Sequence, residues 1–266
     1  MNILFLGDIT GKVGRQAVKE VLPELRKKHK LDFVFANAEN LAGGRGVTAA
    51  TIDEMLACGI DYFTSGNHVF HHDNFAEILN DGSLRILRPA NYPEDVPGKG
   101  VAELKIKNEK VKKLVLINLI GTRWMEGPAA CPFRTVDKIL EQSTISNQQS
   151  TIIVDFHAEA TSERQAMGYY LDGRVSAIFG THTHVPSADA KILPQGTAFV
   201  TDIGMVGAKN SVLGVMPARI IEKSKYPYPV RFEWVKKGPA IFNSVLLSLD
   251  KQGKTKDIKR LDLEIN

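Results

Sequence analysis

Cysteine is nearly absent: Cys58 and Cys131 are the only two in 266 residues, and neither has a CxxC neighbour. That count excludes a disulfide framework and a thiolate metal cluster, and isolated thiols suit a reducing compartment. Long apolar runs are also missing, since no stretch approaches the ~20 residues a membrane-spanning helix needs. The apolar run at residues 3–6 lacks the length and the basic start of a signal peptide. The expectation is a cytoplasmic protein without a membrane attachment. Charge of one sign is scarce: 34 basic residues face 30 acidic ones, leaving +4. So small an excess admits an anionic substrate and gives no basic face for a stable complex with polymeric nucleic acid. The densest basic group, Lys251, Lys254, Lys256, Lys259 and Arg260, alternates with apolar residues around Gly253 and reads as a solvated terminal hairpin. No Ser/Gly/Pro-rich linker, composition shift, repeat or low-complexity tract divides the chain. With 43% hydrophobic residues it can bury one large core, and residues 1–266 are read as a single domain.

What is present is a set of short apolar runs that end on groups able to bind metal. Leu4-Phe5-Leu6-Gly7 ends at Asp8, and Phe33-Val34-Phe35-Ala36 runs into Asn37-Ala38-Glu39-Asn40. Tyr62-Phe63-Thr64 leads to Gly66-Asn67-His68, Ile152-Ile153-Val154 to Asp155-Phe156-His157, and Ala177-Ile178-Phe179 to Gly180-Thr181-His182-Thr183-His184. Runs of this length and composition read as strands buried on both faces. In open α/β sheets, ligands bind beyond the carboxyl ends of such strands.

Between these runs lie helical patterns: Val13 to Leu25 with Pro23 expected to end or kink it, a helix from about Thr48 closed by Gly59, and one around Phe75 to Leu79. The strand–helix alternation predicts parallel pairing with right-handed crossovers. A strand at residues 113–119, helices near 136–140 and 163–171, and a strand at 197–200 follow. The rhythm then turns to β, with strands expected near 230–235 and 241–249. An α/β front half and a β-rich back half imply two sheets packed face to face with helices outside.

Each donor has a plainer reading. Asp8 after a strand can be a helix cap, and Asn67 can cap a turn. Of the seven histidines, His29 sits in a Lys/Arg-rich helix end and reads as solvated. Glu39 is more telling, because a glutamate beside a buried strand is costly unless it is paired or coordinating. His182 and His184 stand two apart, a spacing that lets both rings converge. Together the strand ends supply two carboxylates, two carboxamides and three imidazoles before His68 is used. That exceeds one tetrahedral site and fits two metals, held about 3.5–4 Å apart in enzymes of this kind. Hard oxygen and imidazole donors without thiolate suit iron first, with manganese or zinc as alternatives. His68 adjoins a ligand without needing to be one, and imidazole titrates near neutrality, so it is the candidate general acid.

In their order and spacing these residues resemble the calcineurin-like metallophosphoesterases. The match to the bacterial YmdB-type branch is closer, through Gly7-Asp8-Ile9-Thr10-Gly11, Asn37-Ala38-Glu39-Asn40, Gly66-Asn67-His68, His157-Ala158-Glu159-Ala160-Thr161-Ser162-Glu163 and Gly180-Thr181-His182-Thr183-His184-Val185-Pro186. The general family has Asp-x-His where this chain has Asp8-Ile9-Thr10, and Asn40 stands in for the missing imidazole. Phe70-His71 occupies the place where the branch commonly carries Trp-Asp. The resemblance implies a four-layer α/β/β/α sandwich of two mixed sheets. It implies one metal on Asp8, Glu39, Asn40 and His184, and a second on the bridging Glu39 with Asn67, His157 and His182. Glu159 and Ser162 are candidates for the surrounding shell or for helix capping. Arg45 is a candidate phosphate contact or a solvated turn arginine. Arg123 and Trp124 are candidates to frame a base, or they are exposed loop residues.

The implied activity is hydrolysis of cyclic nucleotides, 2′,3′-cyclic nucleotides first, giving 3′-nucleotides. The substrate is then a small molecule, and the chain is expected to form a homo-oligomer. A phosphoprotein phosphatase or an RNA nuclease would keep the same ligands. A regulatory RNA-associated scaffold would have no need of His68.

Overall fold

A computed structural model describes residues 1–106, 113–142 and 150–266. In chain order its strands are β1 (Asn2–Ile9), β2 (Phe33–Asn37), β3 (Tyr62–Thr64), β4 (Val101–Lys105), β5 (Lys113–Ile120), β6 (Ser150–His157) and β7 (Ala177–Thr181). They continue as β8 (Lys191–Ile192), β9 (Ala198–Val200), β10 (Met205–Ala208), β11 (Ala240–Phe242), β12 (Ser244–Leu249), β13 (Thr255–Arg260) and β14 (Leu263–Ile265). The helices are α1 (Gly11–His29), α2 (Ala49–Ala57), α3 (Phe75–Asn80), α4 (Pro132–Glu141), α5 (Thr161–Leu171) and α6 (Pro217–Lys225).

Alternation along β1 sets the layers. Ile3 and Phe5 pack with Phe35, Leu116, Ile153, Phe179 and Leu247 in a core between the sheets. Leu4 and Leu6 point the other way and pack with Val18 and Leu22 of α1 and Ile52 of α2. The second sheet repeats the arrangement: Leu114 and Leu116 face the inter-sheet core, while Val115 and Ile117 pack with Val136 of α4 and Met167 of α5. Strands apolar on both faces are therefore covered on both faces, and the three cores separate four layers, α/β/β/α.

Both sheets are mixed. β1 runs parallel to β2 and β2 parallel to β3. Along its other edge β1 pairs antiparallel with β12 and then, at Asp8 and Ile9, parallel with β10. In the second sheet β5, β6, β7 and β9 are parallel, flanked by antiparallel β4 and β8. The carboxyl ends of β1, β2 and β3 in one sheet and of β6 and β7 in the other thus arrive at one rim.

The helix expected from Thr48 starts there, with Thr48 and Thr51 forming a reciprocal capping box. The terminal hairpin is β12 and β13, with its lysines outward. One expectation is narrowed and one corrected. Of the two readings of Pro23, ending the helix is ruled out, since α1 runs on to His29. Proline costs one backbone hydrogen bond, and here Leu22 and Leu25 stay buried on either side of it. Residues 230–235 form no strand: Trp234 makes a single bridge to Val215, and Arg231, Phe232 and Glu233 are exposed. Among the described residues, no helix is long and apolar enough to cross a membrane.

Candidate metal centre

Five strand ends carry the polar groups inward: Asp8 and His157 lie within β1 and β6, and the segments after β2, β3 and β7 bring Glu39 and Asn40, Asn67 and His68, and His182 and His184. Asp8, Glu39, Asn40, His157 and His184 are buried there, and the ring of His68 stays a quarter exposed. Glu39 lies at the middle. Its Oε2 accepts from the His68 backbone N–H at 3.0 Å and lies 3.4 Å from His157 Nε2. Its Oε1 lies 3.1 Å from His68 Nδ1 and accepts from Asn40 Nδ2 at 3.2 Å. Asn40 Nδ2 also sits 3.1 Å from His184 Nε2, and its Oδ1 lies 2.9 Å from His68 Nδ1. His182 Nδ1 and His157 Nε2 face each other at 3.0 Å. Asp8 Oδ2 accepts from the His182 backbone N–H at 3.1 Å, and Asp8 Oδ1 lies 4.0 Å from both His157 Nδ1 and His184 Nε2.

Asp8, Glu39, Asn40, His68, His157, His182 and His184 thus form one contact network. Asn67 joins it by position, between Gly66 and His68. Close approach demands glycine at position 66: a Cβ there would sit 2.2 Å from His157 Nε2 and 2.4 Å from Glu39 Oε2.

The turn that presents His182 and His184 is held in an unusual conformation. Both residues have positive φ, 112° and 64°, which costs a non-glycine residue free energy and persists where the surroundings enforce it. Asp202 is the enforcing group. Its Oδ2 accepts from the Thr183 N–H at 3.1 Å and the Thr183 hydroxyl at 2.7 Å, and it pairs at 2.6 Å with Arg164, itself buried. His184 Nδ1 faces the Leu213 carbonyl at 3.2 Å, leaving Nε2 toward the centre.

Beneath His157 lies a further polar group. Asp155 Oδ1 accepts from Thr181 at 2.7 Å, and its Oδ2 accepts from Asn37 at 3.2 Å and from the Thr64 hydroxyl. Thr181 Oγ1 in turn lies 2.9 Å from His157 Nδ1. This assembly fixes the ring with Nε2 inward, as second partners of metal-binding histidines do.

Burial sets the charge states against one another. It raises the Asp8 carboxyl well above the usual range, with His157 opposing and Glu39 adding to the rise. Burial would raise Glu39 as well, but the His157 charge and the hydrogen bonds of His157 and His68 hold it well below the usual range. His157 is pulled up to about 9 because its buried carboxylate neighbours, Glu39 first, outweigh desolvation. Desolvation and the His157 charge lower His182 to about 3, and desolvation lowers His184 too.

These donors fit a cation. Ligand atoms of Glu39, His157 and His182 lie within 4.8 Å of one another. Asp8 Oδ1 and Asn67 Oδ1 are buried without a hydrogen-bond partner among the described residues, and such atoms are costly unless something positive meets them.

The remaining expectations divide. Glu159 contacts His182 Nε2 at 2.9 Å. Ser162 is exposed, and the α5 amino terminus has no side-chain cap. Instead Glu163 accepts from the backbone N–H groups of Thr122 and Arg123 at 3.0 and 3.1 Å, anchoring that loop. Arg45 and Arg123 are exposed, and Trp124 is 83% exposed. Asp155, Asp202 and Arg164 are supports that the sequence motifs do not mark. Asp202 carried a usable signal, since Phe199-Val200 runs into it as other apolar runs run into ligands.

Comparison with known proteins agrees along the chain. It is 41% identical over 254 residues to the 2′,3′-cyclic-nucleotide 2′-phosphodiesterase of Bacillus subtilis, covering 96% of this chain and 93% of the other. A crystal structure of a hypothetical protein from Thermus thermophilus superposes over 100% of both chains with a TM-score of 0.91 and 35% identity. That of a novel phosphatase from Mycoplasma pneumoniae gives 0.92 and 32%, covering 100% of this chain and 94% of the other. A family model described as YmdB-like protein matches residues 4–261, and the chain belongs to that family.

Proposed function

We propose that the protein is a dinuclear-metal phosphodiesterase that opens 2′,3′-cyclic nucleotides to 3′-nucleotides. The observation that supports this reading is the contact network of Asp8, Glu39, Asn40, His157, His182 and His184 from two sheets, with buried Asp8 and Asn67 oxygens left without a partner among the described residues. The activity named for the Bacillus subtilis relative supports it. Asp8, Glu39, Asn40 and His184 would hold one cation, and Glu39, Asn67, His157 and His182 the other. Iron is the first choice for nitrogen and oxygen donors without thiolate, with manganese and zinc next. Bound cations would supply Lewis acidity toward the phosphoryl oxygens and a lowered water pKa.

The chain itself supplies the proton. His68 Nδ1 faces two acceptors, Asn40 Oδ1 at 2.9 Å and Glu39 Oε1 at 3.1 Å, so that nitrogen keeps its hydrogen. Nε2 has no hydrogen-bond partner among the described residues and is the nitrogen free to exchange a proton with substrate. As water adds to phosphorus, losing a proton to solvent, and the P–O2′ bond breaks, His68 Nε2–H protonates the leaving O2′ and is then reprotonated from solvent. The product then keeps its phosphate on O3′.

The test is turnover by metal-reconstituted protein on 2′,3′-cyclic nucleotides, with the product identified by chromatography. A 3′-nucleotide is expected. A 2′-nucleotide reverses the regiochemistry, and preference for RNA or a phosphoprotein replaces the substrate assignment.

A further inference from the structure

We propose a second binding site, for a mononucleotide, in a cavity beside the metal centre that contains none of its donor side chains. The cavity measures about 580 Å³ and lies between the start of α1, the loop at Gly43 and the segment at residues 231–236. That is the size of pockets that enclose small ligands. Its wall carries five basic side chains, Lys12, Arg15, Arg219, Arg231 and Lys236, against one acidic side chain, Glu233. The recess thus carries a formal excess of four positive charges, five basic against one acidic. Arg15 pairs with Glu54, and Arg219 with Glu222 and Glu233. The side chains of Lys12, Arg231 and Lys236 have no ion pair or hydrogen bond among the described residues. Unpaired cations in a recess attract an anion.

Size and the aromatic wall select a nucleotide over a bare anion. Trp234 lines the cavity and packs on Gly44 so closely that a Cβ there would lie 2.1 Å from the indole. Gly44 also has φ +97°, so only glycine seats this ring. The segment is pinned: Met216 N–H donates to the Glu233 carbonyl at 2.8 Å and Val235 N–H to the Gly214 carbonyl at 3.0 Å. A fixed indole beside cations is the pairing that stacks a base and holds its phosphate. Leu213, next to Gly214 of the wall, has its carbonyl 3.2 Å from His184 Nδ1, so occupancy adjoins the backbone that orients a metal donor.

The test uses the full chain stripped of metal by chelator, which makes it independent of the catalytic reading. Trp124 and Trp234 are the only tryptophans, so Trp124→Phe leaves Trp234 as sole reporter. Titration with 5′-AMP is expected to quench it saturably, with Kd raised at least about tenfold by Arg231→Glu and by Lys236→Glu. Both side chains are exposed, and an unchanged Tm verifies that the variants fold. A linear, non-saturating response, or a Kd that neither reversal moves, overturns the site. Equal affinity for inorganic phosphate overturns the nucleotide assignment. Loss of binding in His184→Ala, with both reversals silent, moves the ligand to the metal centre and overturns the proposal as well.

Discussion

The two flanks of the metal centre are built differently. Behind His157, Asn37, Thr64, Asp155 and Thr181 satisfy one another and fix the ring before any ion arrives. On the opposite flank Asp8 accepts one backbone hydrogen bond and leaves Oδ1 buried and unpartnered, while His184 rests on a carbonyl and on Asn40. The His157 ring is pre-organised by the protein, whereas Asp8 on one flank and Asn67 on the other each keep a buried oxygen without a partner among the described residues. Glu39 touches both, through His157 on one side and Asn40 on the other. The comparison therefore predicts unequal consequences for substitutions of similar size.

The largest effect is expected at the shared residue. Glu39→Ala should lower metal content on both flanks, from about two equivalents to below one, and abolish turnover. Elemental analysis of protein purified without chelator checks this, and full occupancy in the variant would end the bridging assignment.

His68→Ala comes next. Turnover should fall about 10²–10⁴-fold with metal content intact, since loss of a general acid is worth that much. An activated aryl phosphodiester, whose leaving group needs little protonation, should lose far less. Equal losses on both substrates would remove His68 from proton transfer.

The comparison also shows what could be read from the chain. The clustering of these polar side chains was legible because each follows or closes a short apolar run, and burial of those runs in two facing sheets brings the run ends to one rim. Asp155 was harder to assign: it lies inside β6, where a buried carboxylate shows only as an interruption, and its partners are remote in sequence. The Arg164–Asp202 pair joins residues 38 apart and has no local signature. Residues 230–235 misled for a physical reason. Their alternation of Val230, Phe232 and Trp234 with charged residues has the period of a strand, yet it seats one indole on glycine and turns charges toward a cavity.

Support from behind should matter on the organised flank alone. Asp155→Asn keeps the shape and removes the charge that orients Thr181 and, through it, His157. Metal affinity should weaken about 10–100-fold, the usual cost of losing a second partner of a ligand histidine, and in a titration one equivalent should weaken while the other holds. Equal weakening of both would erase the distinction between the flanks.

The smallest effect is a proton count, and its sign follows from the flanks. A ligand imidazole must be neutral to bind a cation. In the ion-free centre His157 is held at about 9 because Glu39, Asp8 and Asp155 outweigh desolvation, so at pH 7.5 it carries a proton that metal must expel. His182 is lowered to about 3 and His184 is lowered by burial, and both already bind as neutral rings. Glu39 lies well below the usual range and has no proton to give, whereas Asp8, raised by burial, adds whatever fraction it retains. Metal binding at pH 7.5 should therefore release about one proton or slightly more per chain. Affinity should rise with pH through neutrality and level off above about 9, once His157 is neutral without metal. Calorimetric titration of stripped protein with Mn²⁺, in buffers of different ionisation enthalpy, measures the released protons directly. Zero release at pH 7.5 would mean that His157 is already neutral. The polar assembly behind it would then orient the ring without holding its charge.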